Sequence, residues 1–253
     1  MSLGLNEYGR LKKVALRRPE QAMISQEKID TQWRLLNYHT RPELSRAVAE
    51  HRRLAELLQG VGAEIVYLPA QESLTMDSLY VRDAATLCAR GVVLCNMGKP
   101  ARSAEPGVHG EAFRKAGVPI AGAITGAGKV EGGDIIWLDE RHVGIARGYR
   151  TNDEGIRQFK EIVGPDVHVE VAVLPHYKGP SDVFHLMSII SPLDEDLQLV
   201  YSPLRPGTGR EVRVDHVKTF VEVPDEEFAG MGCNVLAIAP REVVMVKGNP
   251  ETR

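Results

Sequence analysis

Cysteine is scarce: Cys88, Cys95 and Cys233 are the three thiols in 253 residues. None of them has CxxC spacing, and an odd number cannot all pair within one chain. Reduced thiols in a cytoplasmic protein fit that pattern better than a disulfide framework. Long apolar runs are also missing. No stretch approaches the roughly 20 apolar residues of a membrane span. The opening MSLGLNEYGRLKK lacks the apolar centre of a secretory signal. Neither sign of charge dominates, with 31 Lys and Arg against 34 Asp and Glu. That balance gives no general basic field for nucleic acid and no signature for an anionic membrane. There is no HExxH, no EF-hand loop, no GxGxxG and no GxxxxGK[ST]. Gly126-Ala127-Gly128 is too short to count as a phosphate loop. The expectation is a protein without metal or cofactor.

What is present is a repeat. Four segments read apolar run, charged turn, apolar run: Thr86–Cys95, Ile135–Ala146, Ser188–Tyr201 and Asn234–Val246. Each predicts a β-hairpin with an exposed tip, near Arg90, Arg141, Glu195 and Arg241 in turn. Gly9–Leu16 looks like the second half of a fifth. Helical spacing follows two of them or precedes the next, over Glu43–Gly62 and Thr151–Gly164, and short strands follow at Glu64–Leu68 and Val167–Leu174. Hairpin, helix and strand recurring about every 50 residues predict a ring of modules. Five copies make a closed, five-bladed α/β propeller with a central site, one domain over residues 1–253. The fifth copy is incomplete: Asn249–Arg253 reads as the start of a helix, so the chain is expected to be truncated at its C-terminus. The stretch Leu204–Arg210 is rich in Pro and Gly.

Four polar clusters flank the apolar strands, where charge is costly unless it is paired or used. In Asp77–Asp83 two acids lie six residues apart, and a carboxylate matches a guanidinium fork; a surface pair with Arg82 is the plainer alternative. Glu131-Gly132-Gly133-Asp134 lets the backbone turn tightly while both acids point into one place, or is simply a turn. In Arg150-Thr151-Asn152 a helix cap accounts for Thr151 or Asn152. It does not account for Arg150 beside the positive end of a helix dipole. His185 opens a hairpin, either as a structural residue or as a proton carrier near neutral pH.

Taken in order, the segments VALRRP (Val14–Pro19), DSLYVRD (Asp77–Asp83), NMGKPAR (Asn96–Arg102), EGGD (Glu131–Asp134), RTN (Arg150–Asn152), FHL (Phe184–Leu186) and GCNVLAI (Gly232–Ile238) resemble one superfamily. It is the guanidine-modifying superfamily of dimethylarginine dimethylaminohydrolases, amidinotransferases and arginine deiminases, whose fold is the five-bladed propeller. The resemblance implies a hydrolase acting on C–N bonds of arginine-type guanidines through a covalent cysteine intermediate. It implies no cofactor. It casts Glu131 and His185 as the catalytic pair and Asp83 as the grip on the guanidine, with Asp77 and Asp134 in the substrate site. Arg150, and secondarily Arg102, would bind the amino acid's carboxylate.

The nucleophile of that superfamily is a cysteine in a Gly-rich segment near the C-terminus, and no such segment occurs here. Cys88 and Cys95 alternate with apolar residues and read as core. Cys233, beside Asn234, is a weak substitute. Two features pull the substrate in different directions. Met187 stands where deiminases and amidinotransferases have an acid, as in the dimethylarginine hydrolases, while Arg82 before Asp83 follows the deiminase branch. An amidinotransferase, an arginine deiminase or dihydrolase, and a non-catalytic propeller that binds a partner therefore stay open. The expected partner is a small guanidino amino acid, with a homodimer left open and neither nucleic acid nor membrane expected.

Overall fold

In the computed structural model, residues 4–182, 184–205 and 217–253 are described. The expected Pro/Gly-rich stretch lies outside them from residue 206 onward. The fold is α/β, with thirteen strands in five small sheets among the described residues. Strand β1 (Lys13–Leu16) leads through three helices to β2 (Glu64–Tyr67), with which it pairs in parallel. Those helices are α1 (Pro19–Ala22), α2 (Gln26–Gln32) and α3 (Leu44–Gly60).

The next module is a hairpin, β3 (Ala85–Cys88) and β4 (Gly91–Leu94), then α4 (Glu105–Lys115), then β5 (Ile120–Ala123) parallel to β4. The third repeats this with β6 (Ile135–Trp137), β7 (His142–Arg147), α5 (Asp153–Val163) and β8 (His168–Val173). In the fourth, β9 (Ile190–Asp194) and β10 (Leu197–Val200) form the hairpin and β11 (Thr219–Glu222) lies parallel to β10. A short helix, α6 (Asp225–Phe228), precedes the last hairpin, β12 (Leu236–Ala239) and β13 (Glu242–Val244).

All four hairpins predicted from alternation and charged tips are present. Three of the sheets share one strand order, an antiparallel hairpin whose second strand takes a parallel third. The parallel third strand needs a crossover, and in the second and third modules α4 and α5 supply it. Helix α5 begins as its sequence suggests: Asn152 is the cap and accepts from the Gly155 amide at 2.9 Å. Residues Asn249–Arg253, expected as a helix start, instead form a turn. Its Glu251 and Thr252 amides donate to the Glu227 carboxylate at 2.8 and 2.9 Å, which satisfies them without an α-helical ladder.

The core follows the sheets. One cluster packs Val93, Ile135, Ile145 and Phe159 between the second and third modules. Another packs Ile136, Leu186, Ile189 and Val200 between the third and fourth. Successive residues Ile135 and Ile136 belong to different clusters because strand side chains alternate between faces. Sheet three is thus covered on both sides, and its two ends, one at the hairpin tip and one at the strand entry, are where polar groups can collect. No helix of the described residues is long and apolar enough to cross a membrane.

Candidate active site

A turn of 3-10 helix stands at the entry of three hairpins: Val81–Ala84 before β3, Gly132–Asp134 before β6 and Leu186–Ser188 before β9. The middle turn touches the other two. Asp83 and Asp134 sit within these turns, and Glu131 and His185 are the residues just before two of them. Residues about 50 apart in sequence are thereby brought to one point.

His185 is the centre of the cluster. Its Nδ1 lies 3.1 Å from Asp134 Oδ1. Its Nε2 lies 3.4 Å from Glu131 Oε2 and 3.9 Å from Asp83 Oδ1. That nitrogen is buried and has no hydrogen-bond partner. Burial alone would lower the imidazole pKa. Asp134 first, then Asp83 and Glu131, outweigh burial and lift it from 6.5 to about 9. At neutral pH the resting ring is therefore an imidazolium held among three carboxylates.

The acids are fixed in turn. Asp134 Oδ2 accepts from the Thr151 hydroxyl at 2.6 Å, and Asp134 Oδ1 accepts from the Leu186 amide at 3.3 Å. The same hydroxyl accepts from the Glu131 amide at 3.2 Å, so one fully buried threonine ties both acids together. Glu131 Oε1 accepts from the Lys99 amide at 2.9 Å, and Glu131 Oε2 faces Arg150 Nη1 at 3.2 Å. Burial would raise the Asp83 carboxyl, but the charges of His185 and Arg102 hold it below the usual carboxylate range.

The glycine pair has a steric reason. A Cβ on Gly132 would sit 2.2 Å from the Arg82 carbonyl oxygen, and one on Gly133 would sit 2.8 Å from two ring carbons of His185. Bare backbone is what lets the middle turn close onto both neighbours.

The structure brings His185, Glu131, Asp134, Asp83 and Arg150 together. It gives Arg102 and Asp77 internal partners. Arg102, expected as a second binder of a ligand carboxylate, instead grips Asp83 Oδ2 with Nη1. Its Nε and Nη2 form a fork on Glu105 at 2.8 and 2.7 Å, and Nη2 also reaches the Tyr80 carbonyl. A buried acid, Glu105, and a partly buried one, Asp83, draw the guanidinium inward. Asp77 pairs with Lys99 Nζ at 2.6 Å, and that ammonium also holds the Leu36 carbonyl at 2.9 Å. Reading the sequence missed Thr151 as a bridge, Lys99 as a partly buried cation paired with Asp77, and Glu105. Lys99 had a signal as a charged residue within NMGKPAR, Thr151 had one as part of RTN, and Glu105 had none.

None of the three thiols bonds to His185, Glu131 or Asp83 among the described residues. All three are buried. Burial raises the Cys95 thiol, and Asp83, Glu131 and Asp134 raise it further. Burial, with Glu222, pushes Cys233 up to about 12. Both shifts oppose the thiolate a nucleophile needs. No group of three or more His, Cys, Asp or Glu among the described residues is arranged to hold a metal. A separate cavity of about 110 Å³, lined by Tyr8, Leu138, Asp139, Asp194 and Gln198 among others, shares no residue with the cluster.

Comparison with known proteins gives a consistent picture. The sequence model of the family described as N,N dimethylarginine dimethylhydrolase, eukaryotic, matches residues 18–248. The protein YkgA of Bacillus subtilis (strain 168), itself described as uncharacterized, is 28% identical over 245 residues, which cover 96% of this chain and 80% of the relative. Among solved structures, a cysteine-to-serine mutant of DDAH from Pseudomonas aeruginosa complexed with citrulline aligns with a TM-score of 0.76. Its identity is 24%, covering 96% of this chain and 87% of that one. The N-terminal domain of ArgZ, a cyanobacterial arginine dihydrolase bound to substrate, aligns at 0.74 with 18% identity, covering 89% and 80%. SxtG, an amidinotransferase of Microseira wollei, aligns at 0.68 with 14% identity, covering 98% and 86%. At these identities the likeness to solved structures is one of fold.

Proposed function

The chain belongs to the family described as N,N dimethylarginine dimethylhydrolase, eukaryotic, and we propose that its site hydrolyses a C–N bond of an arginine-type guanidine, most like a dimethylarginine dimethylaminohydrolase. The observation that carries this reading is the unpartnered Nε2 of His185, facing Glu131 Oε2 at 3.4 Å and Asp83 Oδ1 at 3.9 Å. A proton donor and two carboxylates grouped at one point suit a cation whose nitrogen must be protonated before it leaves. The proposed architecture is a single five-bladed α/β propeller. The strand order shared by three of the five sheets supports it.

A guanidinium carbon is a weak electrophile because three nitrogens share its charge, so covalent catalysis divides the step. A thiolate adds to that carbon while Asp83 and Glu131 hold the guanidinium N–H groups. His185 gives its Nε2 proton to the departing amine as the C–N bond breaks. Water then adds to the thiouronium carbon and yields a proton to His185. The C–S bond then breaks, releasing the thiolate and an O-protonated urea-type product, whose remaining O–H proton passes to the released amine, which leaves as its ammonium form. Cys88, Cys95 and Cys233 are poor sources of that thiolate, because all three are buried and the thiols of Cys95 and Cys233 are raised in pKa.

The dihydrolase and transferase readings use the same site and differ in which bonds break or in whether water or an amine resolves the intermediate. Met187 in place of an acid favours the dimethylarginine branch. A single methylated nitrogen suits a site with fewer charged clamps. The burial of all three thiols is what favours a binding module without catalysis. Protein purified from its native source is expected to release citrulline and methylamine or dimethylamine from the corresponding methylated arginine. Release of neither, under conditions where the protein is folded, overturns the hydrolase reading.

A further inference from the structure

The two hairpins whose entries carry Asp134 and His185 meet again at their tips, around the cavity of about 110 Å³. Tyr8, Leu138, Asp139, Asp194, Glu195 and Gln198 line it. Leu138 and Asp139 lie in the turn between β6 and β7. Asp194 ends β9, Glu195 lies in the turn that follows, and Gln198 stands on β10. Roughly 10–15 Å³ of such space holds one water, so the cavity has room for a small molecule. Gln198 points to a ligand there. It is 2% exposed, and its Nε2 is buried with no hydrogen-bond partner. A buried amide that donates to nothing is costly, and an oxygen in the cavity would accept from it.

The three carboxylates of the lining are not equally engaged. Asp139 accepts from the Arg141 and His142 amides and meets His142 Nδ1 at 2.8 Å. Asp194 accepts from the Glu195 amide at 2.8 Å and from Arg241 Nε at 2.6 Å. Arg241 pairs with Asp194 and Asp196 and passes over Glu195, which makes no ion pair among the described residues. The Tyr8 phenol registers the local charge: burial raises its pKa, and Glu195, Asp139 and Asp194 raise it further. Among the described residues no three acids or histidines are grouped to hold a metal ion. An N–H cation is the better match to one open carboxylate beside an orphaned amide.

We infer that this cavity binds a small amino alcohol in its ammonium form, with the ammonium on Glu195 and the hydroxyl oxygen accepting from Gln198 Nε2. A hydroxyl both accepts and donates, so it suits either end of the Gln198 amide. Leu138 gives the wall an apolar part for the short carbon link. An esterified amino alcohol, as in a lipid headgroup, brings a phosphate that three carboxylates repel, so the ligand is the free alcohol. The site is independent of the guanidine reading, because none of these six residues belongs to the His185 cluster.

Calorimetry on the 253-residue chain tests this with ethanolamine and n-propylamine as their ammonium chlorides, which differ in a terminal hydroxyl against a methyl. For ligands of this size the affinity should be about millimolar. Ethanolamine should bind about 10-fold more tightly, the worth of one buried hydrogen bond. Gln198→Leu should bring the two to about equal affinity. Glu195→Gln should weaken both by about 10-fold. O-phosphoethanolamine should not bind. Absence of ethanolamine binding, equal affinity for the two amines in the unaltered chain, or a preference that survives Gln198→Leu overturns the inference. Binding of O-phosphoethanolamine as tight as that of ethanolamine does so too.

If Gln198→Leu does not fold, the unaltered chain still decides. In nuclear magnetic resonance spectra, ethanolamine should shift the side-chain amide signals of Gln198 and leave the ring signals of His185 in place. Shifts at His185 with Gln198 unmoved would put the amine in the other cluster and overturn the cavity as its site.

Discussion

Gly133 lies flat against the imidazole of His185: a Cβ at that position would stand 2.8 Å from ring atoms Cγ and Cδ2 and 3.0 Å from Asp83 Oδ1. The ring can neither rotate nor retreat on that side, and its Nδ1 bond to Asp134 fixes the other. Gly133→Ala is expected to push the ring or Asp83 out of place. The overpacking should cost about 1–3 kcal/mol of stability, read by urea unfolding. It should also weaken arginine binding. A variant with unaltered stability and affinity would show that the contact is slack.

His185 makes stability depend on pH in a stated direction. Its folded pKa is raised from 6.5 to about 9, so the folded state holds the proton more tightly than the unfolded one. The stabilisation is fully present below about pH 6.5 and is lost as pH rises through about 9, an effect on the order of 3 kcal/mol. Urea unfolding across that window should show the decline, and His185→Asn should flatten it. An increase of stability with pH over this range would contradict the imidazolium.

Thr151 is expected to be a structural key. Thr151→Val keeps the shape but leaves Asp134 Oδ2 and the Glu131 amide without their shared partner. Loss of a buried bond of this kind costs about 1–3 kcal/mol. Thr151→Ser should restore most of it, measured by thermal or urea unfolding. Equal stability of the valine and serine variants would remove the bridge from the account.

The sequence carried the repeat because each hairpin has its own alternation and a charged tip. It carried Glu131 and Asp134 because two acids around a Gly-Gly pair at a strand entry are conspicuous. Helix α4 and strand β5 were not legible. Pro106, Gly107 and Gly110 interrupt the helical pattern, and Ile120-Ala121-Gly122-Ala123 is too short and too small-chained to read as a strand. With α4 went Glu105, and with Glu105 the reason Arg102 turns inward. Thr151 hid behind Asn152, which does cap the helix, since the partners of Thr151 lie 17 and 20 residues away. Which buried cation pairs with which acid is decided by packing across modules, and spacing within a motif does not encode it.

The cysteines give a further test. All three are buried within the folded chain, so a thiol reagent should label them slowly in the native protein and rapidly in urea. The 253-residue chain is expected to release no citrulline from arginine or its methylated forms. Turnover at enzymatic rates would point to Cys233, and Cys233→Ser would then decide the matter.

The claim that this site grips a guanidinium is tested most directly by calorimetry with an arginine-type ligand on the unaltered chain and on Asp83→Asn. Asp83 is anionic and faces His185 Nε2 across 3.9 Å. The account predicts saturable binding of arginine or a methylated arginine, weakened by about 2 kcal/mol, or roughly 30-fold, when that charge-assisted bond is removed. No binding to the folded chain, or the same affinity with and without the Asp83 charge, would contradict it.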